Sequence, residues 1–284
     1  MRINDLLVDG LAIGTGYALL AIGWTVLLGA ARLVNFAQGQ LYMLGGFTTW
    51  WLSDQFSLPY FASVPIIIVG GALLGLVLQV VLGRLVQERN LTSIMLATLA
   101  VGYVIQGVAG LTFGGDPQIV PSPLSNEQLT VVGSDLTGQD ALIIVLAVVM
   151  YAGVWYVLRK TRAGSYVRAV SEDSSLASLY GINTTWVYAG VLAFATVAAV
   201  LAGWAMTPRG PILTTIGFQE VIITFAVVVI GGIGRIWGNF AAAMGLGLFV
   251  VLIGQLWVPA YALAATFAIV IAFLVVRPQE VALR

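Results

Sequence analysis

Long apolar runs separated by short polar stretches set the plan of this chain. Apolar segments fall at about 6–29, 35–54, 59–86, 91–113, 141–158, 185–206, 218–230, 239–256 and 261–276. Several approach or exceed the roughly 20 residues that cross a bilayer as helix. The pattern predicts an all-α, polytopic transmembrane helical bundle of about eight to ten spans, with nine the working count. The short alternating segments of a membrane barrel do not occur. Two segments depart from the rule. The second opens on Asn35-Phe-Ala-Gln38, whose spacing resembles a capping box. The seventh is short and follows Pro208-Arg-Gly-Pro211. Both are candidates for broken or re-entrant elements, because irregular backbone survives at membrane depth only beside protein or water. Within the third run Gln79 stands alone, and a hydrogen bond to a neighbouring helix is its expected use.

The polar stretches carry the remaining information. Residues 164–181 form a compact polar island preceded by Arg159, Lys160 and Arg162. Tyr166, Ala169, Val170, Ala177 and Tyr180 recur in it at roughly helical spacing, which predicts an amphipathic segment. Gly164-Ser165 is placed to cap its start and Gly181 to end it. Ser174 is placed to cap a second turn, so two helical pieces are an alternative to one. Such a segment either joins two spans or docks on a partner. Residues 114–139 are the longest polar stretch. They carry Asp116, Glu127 and Asp135, with Asp140 at the edge and no lysine or arginine. Pro117, Pro121 and Pro123 argue against a long helix there, and Val131-Val132 fit a short strand. Gly231-Gly-Ile-Gly-Arg-Ile-Trp-Gly238 reads as a tight turn, since no strand precedes it and its spacing is not a dinucleotide fingerprint.

Composition narrows the function. Of 284 residues, 60% are hydrophobic and 8% charged, against about a quarter charged in a soluble domain. The formal net charge is zero, which implies no nucleic-acid surface. Cysteine and histidine are both absent. That excludes disulfides, thiolate metal sites and the usual proton carrier near neutral pH. The start of the chain lacks the pattern of a cleaved secretory signal, so 6–29 is expected to be retained as a first span. Placing the island in the cytoplasm gives that side Arg32, Arg84, Arg89, Arg159, Lys160, Arg162, Arg168, Arg235, Arg277 and Arg284. The outside keeps Arg2 and Arg209. This bias predicts an external N-terminus and a cytoplasmic C-terminus.

A transporter needs a source of energy, and the chain has none of its own. Lys160 is the one lysine, and no phosphate-binding Gly-x-x-x-x-Gly-Lys-Ser/Thr loop exists. Ion-coupled carriers bury ionisable groups in their spans, yet these spans hold little beyond Glu220. Its place near the outer end of the seventh run makes interfacial solvation the default expectation. No catalytic set is present, so an enzyme is not expected. Asn35, Gln38, Gln40 and Glu220 are the candidate lining of a translocation path, with helix capping as the competing reading for Asn35 and Gln38. Arg209 is expected to be solvated in its loop.

Missing fuel points to an outside motor, and there the motifs become specific. Gly164…Arg168-Ala169…Asp173…Ala177…Gly181-Ile182 resembles the cytoplasmic coupling segment of ATP-binding cassette importer permeases. Gly10-Leu…Gly16-Tyr-Ala-Leu, Arg32-Leu-Val-Asn-Phe-Ala-Gln-Gly39 and Gly231-Gly-Ile-Gly-Arg-Ile-Trp-Gly238 agree, in order, with the branched-chain amino acid importer permease family, in its LivH-like inner-membrane subunit. Gln38 departs from that family, which often has histidine there, so no titrating role is open to this position. The resemblance implies a type II importer permease: one transmembrane domain over 1–284, with a coupling segment at 164–181 and an external loop at 114–139. Tyr166, Arg168, Ala169, Asp173, Ala177 and Gly181 would couple to the ATPase. The implied partners are a second, homologous permease subunit, two cytoplasmic ATPases and an external binding protein. The implied place is the bacterial inner membrane. This chain would hold no cofactor, ATP and Mg residing on the ATPase subunits. The implied cargo is a branched-chain or other hydrophobic amino acid. Urea or a short amide, and an ion-coupled secondary transporter, are the alternatives.

Overall fold

Two antiparallel helices, α1 (Ile3–Val26) and α8 (Thr184–Met206), form the axis of a helical bundle. The computed structural model describes residues 3–88, 91–125, 127–131, 134–256, 264–269 and 271–272. The membrane-span windows of α1 and α8 are 83% and 72% buried, whereas those of α4 (Leu91–Phe113) and α5 (Gly138–Lys160) are each 22% buried. The first two are therefore core, and the second two present apolar faces outward. α3 (Ser63–Glu88) lies along α8, and α10 (Ile236–Leu256) lies along α1. Small residues permit both contacts. A Cβ on Gly10 would stand 2.9 Å from Leu248 Cα, and one on Gly75 2.5 Å from Ala193 Cα.

Six helices among the described residues are long and apolar enough to cross a membrane. Two further helices, α2 (Gln38–Phe56) and α9 (Ile216–Gly231), do something else. α1 ends in a π-helical turn, Leu27–Ala31, closed by Arg32 at φ 51°. The chain then runs back into the bundle without regular structure, and α2 begins at half depth. α8 ends in a 3₁₀ turn, Thr207–Arg209, and the chain again returns before α9 begins. Each half-helix thus starts inside the bundle, α2 running toward one end and α9 toward the other. The order of long helix, half-helix and long helix over α1–α2–α3 recurs over α8–α9–α10 with the half-helices running oppositely, the form that inverted repeats take in many transporter folds. The sequence expectation of two broken spans is met. The symmetry itself is not evident from residue matching.

One end of the bundle gathers the π turn of α1, α6 (Arg162–Glu172), α7 (Ser174–Leu179) and the turn between α9 and α10. Arg159, Lys160, Arg162, Arg168 and Arg235 lie here. Gly232 (φ 92°) and Gly234 (φ 75°) make the tight turn expected between Gly231 and Gly238. The opposite end holds the 114–139 loop with its antiparallel hairpin β1 (Gln128–Val131) and β2 (Ser134–Thr137). Val132, Arg2, Arg89, Arg277 and Arg284 lie outside the described residues, as does most of the 261–276 run.

A polar clamp ties this second end together. Gln139 Nε2 donates to Tyr60 Oη (3.0 Å) and to the Ala205 carbonyl (2.6 Å), while its Oε1 accepts from Ser122 Oγ (2.9 Å). Backbone hydrogen bonds join Gln118 and Ile212 in both directions, 3.0 and 2.8 Å. The 114–139 loop is therefore stitched to the returning segment that leads into α9. Arg209 is not simply solvated: its Nε lies 3.0 Å from Asp140 Oδ1. Asp140 also forms a capping box with Thr137 at the start of α5.

Candidate translocation site and coupling segment

The two half-helices meet at their N-termini. A Cβ on Gly217 would stand 2.6 Å from the Gly39 carbonyl oxygen and 2.7 Å from Gln40 Oε1. Only glycine lets the two backbones approach this closely. The depth of this contact follows from Gln38, whose Nε2 donates to the carbonyl of Ala195 at 2.8 Å. Ala195 is the middle residue of α8, so the junction sits halfway through the bundle.

The residues that place α2 here also satisfy its irregular lead-in. Asn35 Oδ1 accepts from Ala37 N–H (3.0 Å), and Gln38 N–H donates to the Asn35 carbonyl (3.1 Å). Thr98 Oγ1 on α4 accepts from Phe36 N–H (3.2 Å). This is a turn held by side chains, not the capping box suggested by the spacing: the N-cap residue of α2 is Ala37, with no side-chain cap. Buried backbone must find partners somewhere, and these do so locally.

The side chains are not so well provided for. Asn35, Gln38 and Gln40 are 2%, 0% and 0% exposed. Asn35 Nδ2, Gln38 Oε1 and both polar atoms of Gln40 have no hydrogen-bond partner. An unpaired buried polar group costs about 1–3 kcal/mol, so a cluster of them at one point calls for a use. Gln79 Oε1 on α3 is also unpaired. Glu220 corrects a second expectation. It lies one turn past Gly217 on α9, half-buried and within electrostatic reach of Tyr17 and Tyr42. It is not at a solvated outer end, because α9 starts inside. The structure therefore brings Asn35, Gln38, Gln40 and Glu220 to one region, where α1, α2, α4, α8 and α9 converge.

Toward the arginine-rich end that region is closed by three rings. Trp24, Phe36 and Phe225 stand with centroids 5.5–6.4 Å apart, in edge-on or tilted contact. Sequence reading did not single them out. Two of them had a signal, since Phe36 adjoins Asn35 and Phe225 lies about a turn and a half past Glu220; Trp24 had none.

The 164–181 island folds as two helices, α6 and α7. Thr161 caps the first, its Oγ1 accepting from Gly164 N–H (3.2 Å), in place of the expected Gly164-Ser165. Asp173, not Ser174, caps the second, accepting from Ser175 N–H and Leu176 N–H. Gly181 ends it at φ 81°. The predicted stripe divides. Val170 and Ala177 are buried (3% and 4%) and Ala169 half-buried. Tyr166 and Tyr180 face out with Leu176 and Leu179. Ala177 thus anchors the segment to the bundle and is not part of an outward docking face. Arg168 turns back, bonding the Leu158 carbonyl and Ser165 Oγ. α6 packs on the π turn of α1, which leads directly into the Asn35 turn. Between α5, α8 and this segment lies an apolar cavity of about 830 Å³, bordered by Tyr166, Tyr180 and Trp186.

Residues 6–275 match the family described as branched-chain amino acid transport system / permease component. The chain is 29% identical to the high-affinity branched-chain amino acid transport system permease protein LivH of Salmonella typhimurium, over 96% of this chain and 93% of that protein. It is 26% identical to BraD of Pseudomonas aeruginosa, a permease protein of the same kind, over 97% and 94%. The fructose import permease protein FrcC of Rhizobium meliloti is 35% identical over 37% of this chain and 31% of its own. No solved structure matches the chain.

Proposed function

The chain belongs to the branched-chain amino acid transport system permease family, and on that premise we propose that it moves branched-chain or other hydrophobic amino acids across the inner membrane. It is a multi-pass permease subunit of an ATP-binding cassette importer. In the proposed assembly it pairs with a second, homologous permease. Two cytoplasmic ATPases supply the work, with ATP and Mg held on them, and an external binding protein delivers the cargo.

The observation that carries this reading is the half-depth junction of α2 and α9, where Asn35 Nδ2, Gln38 Oε1 and both polar atoms of Gln40 are buried without a partner, with Glu220 three residues beyond Gly217 on α9. Polar groups and helix ends of this sort mark substrate sites in membrane transporters. The arginine-rich end is assigned to the cytoplasm by the bias of basic residues. That places the N-terminus outside, the C-terminus inside and the 114–139 loop toward the binding protein. Tyr166, Leu176, Leu179 and Tyr180 are the outward residues for an ATPase groove. Ala169, Asp173, Ala177 and Gly181 shape the segment, and Arg168 braces it. Motion of α6 passes to the π turn, and from there to the Asn35 turn and α2.

Two other readings have observations behind them. The carboxamide cluster also suits urea or a short amide. The half-buried Glu220 suits an ion-coupled carrier. Uptake by the assembled complex in proteoliposomes separates all three. ATP-dependent accumulation of leucine supports the proposal. ATP-dependent accumulation of urea alone transfers it to the amide reading. Gradient-driven uptake by this chain alone defeats it.

A further inference from the structure

The geometry points to a zwitterion-binding site at the α2–α9 junction, in which the two helix N-termini take a carboxylate and Glu220 takes an ammonium group. The site rests on the amino-acid reading above and divides its labour among named groups. Three observations converge on it.

The first is the pair of N-termini. The first-turn N–H groups of a helix have no partner within it; here Gln38 N–H is taken by the Asn35 carbonyl and Ile216 N–H by the Leu213 carbonyl, which leaves the later amides of each first turn and the partial positive charge of the macrodipole to face an anion. Two helices of 19 and 16 residues begin at one point inside the bundle, so their positive ends add. The second is Gln40. It has no exposed surface, both its polar atoms are unpaired, and its Oε1 lies against Gly217 at the start of α9. A buried amide open at both ends has a donor to give a carboxylate and an acceptor to give an ammonium. The third is Glu220, three residues after Gly217 and so on the same face of α9. Its Cα lies one helical turn, about 5 Å, further along the axis, and its carboxylate supplies the opposite charge within electrostatic reach of Tyr17 and Tyr42. An α-amino acid carries its two charges a few ångströms apart, which matches this spacing. Urea carries neither charge and leaves both poles of the site unmatched.

The test is photo-labelling of the purified, assembled importer with a leucine that carries a diazirine in its side chain. Adducts are mapped by mass spectrometry. The expected labels fall on peptides covering 33–42 and 216–225. Glu220→Gln keeps size and hydrogen bonding but removes the charge. It is expected to lower labelling about tenfold, the worth of one charge-assisted hydrogen bond. The same variant should leave unchanged the labelling by the matching diazirine acid that lacks the amino group. Gln40→Leu removes the open amide, should not harm folding because it deletes unpaired polar atoms, and should lower labelling by both probes. An importer that accumulates leucine while both variants label like the wild type overturns the site alone. An importer that accumulates urea and not leucine overturns the amino-acid reading and the site with it.

Discussion

Gly39 and Gly217 touch backbone to backbone, 178 residues apart in sequence, where the starts of α2 and α9 cross. Neither position has room for a methyl group. Gly217→Ala should force the half-helices apart and cost about 1–3 kcal/mol, the usual penalty for overpacking. Uptake should fall more than thermal stability does, because the strain falls at the passage. Paired uptake and melting measurements check this, and a variant with normal transport would separate the crossing from the path.

The outward face of the proposed coupling segment gives a second prediction. Leu179 and Tyr180 are 81% and 86% exposed. Leu179→Asp should leave insertion and folding intact yet separate ATP hydrolysis from uptake. Ala177→Asp should act differently, since it buries an unpaired charge against the bundle at a cost of roughly 3 kcal/mol or more. Its expected result is a loosened segment and lower yield. Hydrolysis and uptake rates in one preparation distinguish the two.

The ring cluster of Trp24, Phe36 and Phe225 predicts a seal. Trp24 is fully buried. Phe225→Ala should open a passive leak of leucine through the assembled complex without ATP, and Trp24→Ala should in addition cost about 3–5 kcal/mol of stability. Efflux from preloaded proteoliposomes is the measurement.

The Arg209–Asp140 pair pins the returning segment before α9 to the start of α5. Both side chains are partly shielded, 25% and 12% exposed. Arg209→Gln should cost about 1 kcal/mol. The exchange Arg209→Asp with Asp140→Arg should recover part of it in a double-mutant cycle read by melting temperature.

How much of this was legible beforehand depends on which physics each part uses. Span positions were legible because membrane burial is written in long apolar runs, and α1, α3, α4, α5, α8 and α10 fall where those runs do. The breaks at Asn35 and Pro208–Pro211 were legible because polar residues and proline interrupt helix at a cost lipid cannot absorb. The depth of Glu220 was not, because a residue near the end of a short run looks interfacial until the chain before it is seen to dip inward. The role of Ala177 was misread for a related reason. Periodicity defines a stripe, but Tyr166 and Tyr180 turned outward while Ala177 turned in, and only the neighbours decide which side a small residue takes. Long-range partners such as Gln139 with Tyr60, or Arg209 with Asp140, leave no mark in local spacing.

Leucine uptake into proteoliposomes tests the central claim most directly. The chain is reconstituted first alone and then with the second permease, ATPases and binding protein of the proposed assembly. The account predicts no accumulation by the chain alone under a proton or sodium gradient, and accumulation by the full assembly that stops when ATP is withheld. Gradient-driven accumulation by this chain alone would contradict it.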